Sequence, residues 1–140
     1  MLKLSKPAFE AIRRHGEQAF PHECCGVLFG KVEGEHRMVG EVFVIENQFE
    51  EAERYHRFLI TPDNYRDAEK ISRTKKVDII GFYHSHPDSP SIASKYDLDH
   101  AFPWFSYVIV SIMKNKYFDI HSWVMKEDRS KFNEEHVVIE

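Results

Sequence analysis

The sequence predicts an α/β sandwich built around a mixed β-sheet, and three observations lead there. Apolar runs of strand length outnumber the helical segments. The two kinds intermix along the chain. Polar, Gly- or Pro-containing turns separate them with neither a linker nor an internal repeat.

Taken in order, Ser5 caps a first helix with Pro7 in its opening turn. Ala8, Phe9, Ile12 and Ala19 give that helix an apolar side, and Pro21 ends it. "CCGVLFGKV" reads as a buried strand, with "MVGEVFVIEN" as its neighbour across the polar turn "EGEH". "RYHRFLI" alternates well enough to be a third strand with one wet face. "TPDNYRDAEKISRTKK" is a second helix, with Thr61 as cap, Pro62 at its first position and a basic last turn. The middle of "VDIIGFYHSH" is almost wholly apolar, which places that strand centrally in the sheet. "SKYDLDHAF" opens a short helix, "YVIVSIM" and "YFDIHSWVM" form a hairpin around "KNK", and "HVVIE" closes the chain.

Length and composition bound what such a fold can do. A chain of 140 residues fits one domain, 1–140, and buries roughly two thirds of its unfolded surface. Its 42% hydrophobic and 14% aromatic content is that of a globular protein. A net charge of -4 supplies no basic footprint, so no nucleic-acid partner is expected. No apolar run is long enough to span a bilayer, and "MLKLSKPAFEAIRRHGEQAF" carries charges throughout, so neither a signal peptide nor a membrane helix is expected. Cys24 and Cys25 are adjacent, which rules out an ordinary loop-closing disulfide and points to a reduced, cytoplasmic setting.

The chemistry concentrates in "GFYHSHPDSPSIASKYDLDHAF". Residues i and i+2 of a strand face the same side, so His84 and His86 project together, roughly 6.5–7 Å apart along the strand. Imidazoles so placed can converge on one zinc, after which Pro87 stops strand pairing and Pro90 stiffens the return. The plainer reading is an exposed strand end that holds two histidines. Ser94 and Asp97 likewise read as a capping box ahead of "LDHAF", and capping alone explains both residue types. An aspartate at that helix start can also supply a third ligand, leaving a fourth position for water as in a catalytic zinc site. Glu23, in "FPHECCGVLFG", places a charge where the following residues are strongly buried in character. A closed site made from both cysteines and both histidines is a poor rival, because adjacent strand residues point to opposite faces. The cysteines read as small buried hydrophobes. His15, His36, His100, His121 and His136 lack partner spacing and read as solvated or satisfied residues, and Trp104, Phe105 and Tyr107 as core packing.

Glu23, then "HSHP", then Ser94-x-x-Asp97 resembles the JAMM signature of the MPN-type metalloproteases: a glutamate, later H-[ST]-H-P, a short spacer, and S-x-x-D. The resemblance runs over nearly the whole chain, through "ECCGVLFG", "RYHRFLITPDNYRDAEK" and "VDIIGFYHSHPDSPSIASKYD". It implies one zinc held by His84, His86 and Asp97, with Glu23 as general base and Ser94 as oxyanion support. It also implies a cytidine-deaminase-like αβα sandwich around a curved mixed sheet. The similarity is greatest to compact bacterial and archaeal members, since the chain has no room for the two insertions with which eukaryotic deubiquitinases of the family hold ubiquitin. Such compact relatives imply a metallopeptidase or isopeptidase acting on the C-terminal tail of a small ubiquitin-like or sulfur-carrier protein. A non-catalytic MPN scaffold is the alternative, although relict members typically lack a ligand and this sequence keeps all five functional positions. A zinc nucleobase deaminase expects H-x-E with P-C-x-x-C, and neither occurs here.

Overall fold

The computed structural model describes residues 1–46 and 60–140. The expected strand "RYHRFLI", with His56, lies outside the described residues apart from Ile60. The described elements are β1 (Leu2–Leu4), α1 (Lys6–Ala19), β2 (Cys25–Glu33), β3 (His36–Ile45), α2 (Pro62–Lys75), β4 (Asp78–Pro87), α3 (Lys95–Asp99), β5 (Ser106–Met113), β6 (Lys116–Met125), β7 (Phe132–Glu135) and β8 (Val137–Ile139).

These strands form one eight-stranded sheet in the order β7-β6-β5-β4-β2-β3-β1-β8. It is mixed: β4 runs parallel to β5 and antiparallel to β2, while β1 runs parallel to both β3 and β8. Its two edge strands, β7 and β8, are separated in the chain by His136 alone. Such a connection is too short to cross a flat sheet, so the sheet curls until its edges approach one another.

Alternation along β2 sorts the core into two layers. Cys24 and Leu28 join Ala8 and Ile12 of α1, together with Tyr83 and Val110. Cys25, Val27 and Phe29 join Ala68 of α2, with Phe82, and Tyr65 and Ile71 pack against that layer. The two longer helices thus cover opposite faces, and the molecule is the expected αβα sandwich around a curved mixed sheet.

Local chemistry accounts for each helix start. The Ser5 hydroxyl accepts from Ala8 N–H at 3.1 Å, and Ala8, Ile12 and Gly16 form the buried stripe of α1. Thr61 and Asn64 cap α2 reciprocally, with the Thr61 hydroxyl accepting from Asn64 N–H at 3.1 Å and Asn64 Oδ1 accepting from Thr61 N–H at 3.0 Å. Central β4 is buried from Ile80 to His86. Gly81 permits its pairing with β5, because a Cβ there would stand 1.8 Å from the Ser106 carbonyl oxygen. No helix among the described residues is long and apolar enough to cross a membrane.

The structure adds two strands to the sequence reading. β1 and β7, "LKL" and "FNEE", are too short and too charged to show a period, and distant pairing makes them strands. "FPWFSY" divides: Phe105 and Tyr107 pack against the α2 layer, whereas Trp104 is 49% exposed, with the Arg37 guanidinium 4.5 Å above its ring.

Candidate metal centre

The end of β4 turns His84 and His86 to the α2 face, with Ser85 between them facing the other way. Ser85 fixes the register: its hydroxyl accepts from Cys24 N–H at 2.9 Å, and its own N–H donates to the Cys24 carbonyl at 3.0 Å. Cys25 stands opposite His84, and Glu23, two residues earlier, continues that line toward His86. Glu23, two residues ahead of β2, is 8% exposed, a buried carboxylate in the segment that leads into the strand paired with β4.

Three side chains meet at the histidine end of β4. His84 Nε2 lies 3.2 Å from His86 Nε2 and 3.1 Å from Asp97 Oδ1, and His86 Nε2 lies 3.2 Å from Asp97 Oδ2. All three side chains are buried, and they form a group able to hold a metal ion. A tetrahedral zinc with bonds of about 2.0–2.1 Å sets its ligand atoms about 3.3–3.4 Å apart, so the spacing suits zinc.

The protons favour a cation as well. His86 Nδ1 is 2.7 Å from the Pro90 carbonyl, which can only accept, so that nitrogen carries the hydrogen. In the neutral ring Nε2 is then a bare lone pair, and it faces a carboxylate oxygen, also an acceptor. Two acceptors aimed at each other in a buried site require positive charge between them. This carbonyl-to-imidazole contact is the usual outer support of a metal-bound histidine.

Asp97 comes from the first turn of α3, where the residue that completes the helix capping box is also the one that faces both histidines. Asp97 N–H donates to the Ser94 hydroxyl at 3.1 Å, and Ser94 N–H donates to Asp97 Oδ2 at 2.8 Å. The capping box therefore holds the carboxylate in place. Burial alone would raise the Asp97 carboxyl, but His84, His86 and the Ser94 N–H outweigh it and keep it well below the ordinary carboxylate range. Burial holds the His84 imidazole below its ordinary value, against the pull of Asp97. An ionised carboxylate beside a neutral imidazole is the protonation state that binds metal.

The other residues weighed in the sequence contribute no atom to this group, although Cys25 is the cross-strand neighbour of His84. Cys24 and Cys25 are buried, unbridged, and split between the two core layers. Burial pushes the Cys24 thiol up to about 12 and raises Cys25 as well, so neither is a thiolate. His15 is a satisfied core residue, with Nδ1 2.8 Å from the Tyr83 hydroxyl. His121 contacts the Ser91 hydroxyl, a partner that no sequence spacing announces.

A cleft of about 260 Å³ opens beside Ser94, lined among others by Ile92, Ala93, Leu98, Trp123 and Phe132. A larger cleft of about 700 Å³, walled by Arg13, Arg14, Glu17 and Asn115, holds none of the candidate residues.

Known proteins are similar to this chain in sequence and fold. The family described as prokaryotic homologs of the JAB domain matches residues 5–126. A desampylase of Haloferax volcanii is 28% identical over 132 residues, covering 91% of each chain. The solution structure of a Desulfitobacterium hafniense protein superposes with a TM-score of 0.86 at 31% identity, covering 100% of this chain and 93% of the other. A JAB1/MPN domain protein from Archaeoglobus fulgidus shares the fold, with a TM-score of 0.60 at 19% identity over 98% of this chain and 97% of its own.

Proposed function

This chain belongs to the prokaryotic homologs of the JAB domain, and from that premise we propose that it is a zinc-dependent metallopeptidase or isopeptidase, hydrolysing a peptide or isopeptide bond at the C-terminal tail of a small ubiquitin-like or sulfur-carrier protein. The observation that carries the reading is the convergence of His84, His86 and Asp97, with two acceptor atoms aimed at one another 3.2 Å apart.

His84, His86 and Asp97 would hold the zinc, which when bound would supply an acidified water and an electrophilic contact for the scissile carbonyl. The chain's own residues do the rest. Glu23, buried at the entry to β2, takes the water's proton and passes it to the leaving amine. Ser94 accepts Asp97 N–H with a lone pair, which leaves its hydroxyl hydrogen to donate to the carbonyl oxygen as negative charge develops there. The raised thiols of Cys24 and Cys25 argue against a covalent cysteine mechanism, and two free cysteines suit a reducing cytoplasm.

The desampylase name of the Haloferax volcanii relative supports this class of substrate. So does the geometry expected of a flexible tail ending in Gly-Gly. Glycines let a backbone pass close to a centre walled by the "HPDSP" turn, where larger side chains would clash. The cleft beside Ser94 offers the chain beyond the cut a place to lie.

The experiment incubates the protein with a carrier extended past Gly-Gly and follows intact mass. Release of the extension after Gly-Gly, stopped by chelation and by Glu23→Gln, is the expected result. Glu23→Gln should keep zinc and fold while losing most turnover, because an amide cannot take the proton. An uncut tail alongside cleavage of unrelated unfolded peptides would make the protein a general peptidase. Zinc binding with no cleavage of either substrate would leave the scaffold reading in its place.

A further inference from the structure

Beyond the three ligands, the turn after β4 is fastened to the β5–β6 hairpin at one point after another. Asp88 N–H donates to the Ile112 carbonyl at 2.7 Å, and Asp88 Oδ1 accepts from Lys114 N–H at 2.8 Å. The Ser111 hydroxyl donates to the Ser89 carbonyl at 2.6 Å. Ser91 is the most heavily engaged. Its hydroxyl donates to Asp119 Oδ1 at 2.6 Å and lies 2.6 Å from His121 Nδ1, while its carbonyl accepts from Trp123 Nε1–H at 3.0 Å. Its one hydroxyl hydrogen is given to Asp119, so His121 Nδ1 must be the donor in the other contact. Ser91 is only 2% exposed, although the prolyl residue before it is exposed.

A serine, a histidine and an aspartate in contact suggest a nucleophilic triad, but the arrangement is wrong for one. The aspartate accepts from the serine itself instead of orienting the far side of the imidazole, and the serine is buried. What Ser91 does control is the peptide plane it shares with Pro90. The Pro90 carbonyl belongs to the peptide bond whose nitrogen is that of Ser91, and the bond is planar. Holding Ser91 at both its hydroxyl and its carbonyl fixes its Cα, one end of that plane. Rotation about the Ser91 N–Cα bond is the freedom left there, so the hold restricts the directions in which the Pro90 carbonyl can point. That carbonyl is the atom 2.7 Å from His86 Nδ1.

We propose that Ser91, clamped to β6 by Asp119, His121 and Trp123, is a positioning residue for the metal centre, because it aims the Pro90 carbonyl that sets the tautomer and ring orientation of His86. The inference rests on the metal reading above. It adds an outer layer reaching from β6 through one peptide plane to a ligand. Loosening the clamp frees the carbonyl, lets the His86 proton move to Nε2 and removes a ligand lone pair for part of the time. Loss of an outer partner of this kind commonly lowers metal affinity about 10–100-fold.

The test measures zinc affinity by competition with a chromophoric chelator, and the visible spectrum of the cobalt-substituted protein, for the parent, Ser91→Ala and Trp123→Phe. Ser91→Ala should bind zinc about 10–100-fold more weakly and alter the cobalt bands, and Trp123→Phe should shift both in the same direction by less. Affinities and spectra equal to the parent's, accompanied only by a lower melting temperature, would overturn the inference and leave Ser91 a plain loop anchor. If Ser91→Ala does not fold, Trp123→Phe decides by the same two readouts. A parent that binds no zinc defeats the metal reading itself, an outcome distinct from a parent that binds zinc as tightly as its variants.

Discussion

His84 Nε2 and His86 Nε2 lie 3.2 Å apart inside the protein, a separation that needs a proton or a metal between them. Their strand makes the meeting unavoidable, because β4 presents both rings on one face and the Pro90 carbonyl turns the second ring inward. Asp97 then closes the group from a different element, at 3.1 and 3.2 Å.

Zinc purified with the protein should accordingly approach one ion per chain. His84→Ala with His86→Ala should abolish it, and Asp97→Asn should weaken it, since a neutral amide cannot balance the ion's charge. Substituting Cys24 and Cys25 by alanine should leave the metal in place, because the two residues pack in separate core layers and neither belongs to the buried group. Elemental analysis of each purified variant checks all of this. Full zinc in the double histidine variant would remove the site from consideration.

Ser94 carries the capping contact and the proposed oxyanion role on one hydroxyl, and substitution separates them. As a cap it accepts from Asp97 N–H at 3.1 Å, so Ser94→Ala should cost about 1 kcal/mol of stability. As an oxyanion donor it should cost about 10²–10³ in turnover as well. Urea unfolding and steady-state kinetics read the two effects separately. A stability loss with unchanged turnover would confine Ser94 to capping.

Much of this was legible in the sequence, for identifiable reasons. The i, i+2 spacing of His84 and His86 fixes their common face, and Ser94-x-x-Asp97 announces its own helix start, because both are local rules. The cysteines could be set aside by the same alternation. What the sequence could not show is long-range. β1 exists because β3 and β8 flank it, and β7 because β6 does, neither of which a three- or four-residue segment can advertise. The grip of β6 on Ser91 joins residues 28 and 30 positions apart, and no spacing encodes it. His121 read as bland for that reason. Glu23 was visible only as a charge in an apolar setting, and its place beside β4 follows from the β2–β4 register.

Acid sensitivity is expected at His15, far in sequence from His84, His86 and Asp97. Its Nδ1 shares a hydrogen bond with the Tyr83 hydroxyl at 2.8 Å, and burial holds the imidazole below its ordinary value. In the unfolded chain a histidine titrates near about 6.5. Below that pH the unfolded chain gains a proton that the folded protein resists. The stability contributed by neutral, half-buried His15 is thus fully present above about pH 6.5 and is lost as pH falls toward the lower folded value. His84 also has a lowered value and acts in the same direction over this range, so the parent alone cannot isolate the effect. His15→Gln retains a polar partner for Tyr83 without an ionisable ring. With chelator present throughout, urea unfolding at pH 7.5 and 5.5 should show a larger drop for the parent than for His15→Gln. Equal drops would mean that His15 takes up its proton as easily in the folded protein as in the unfolded chain.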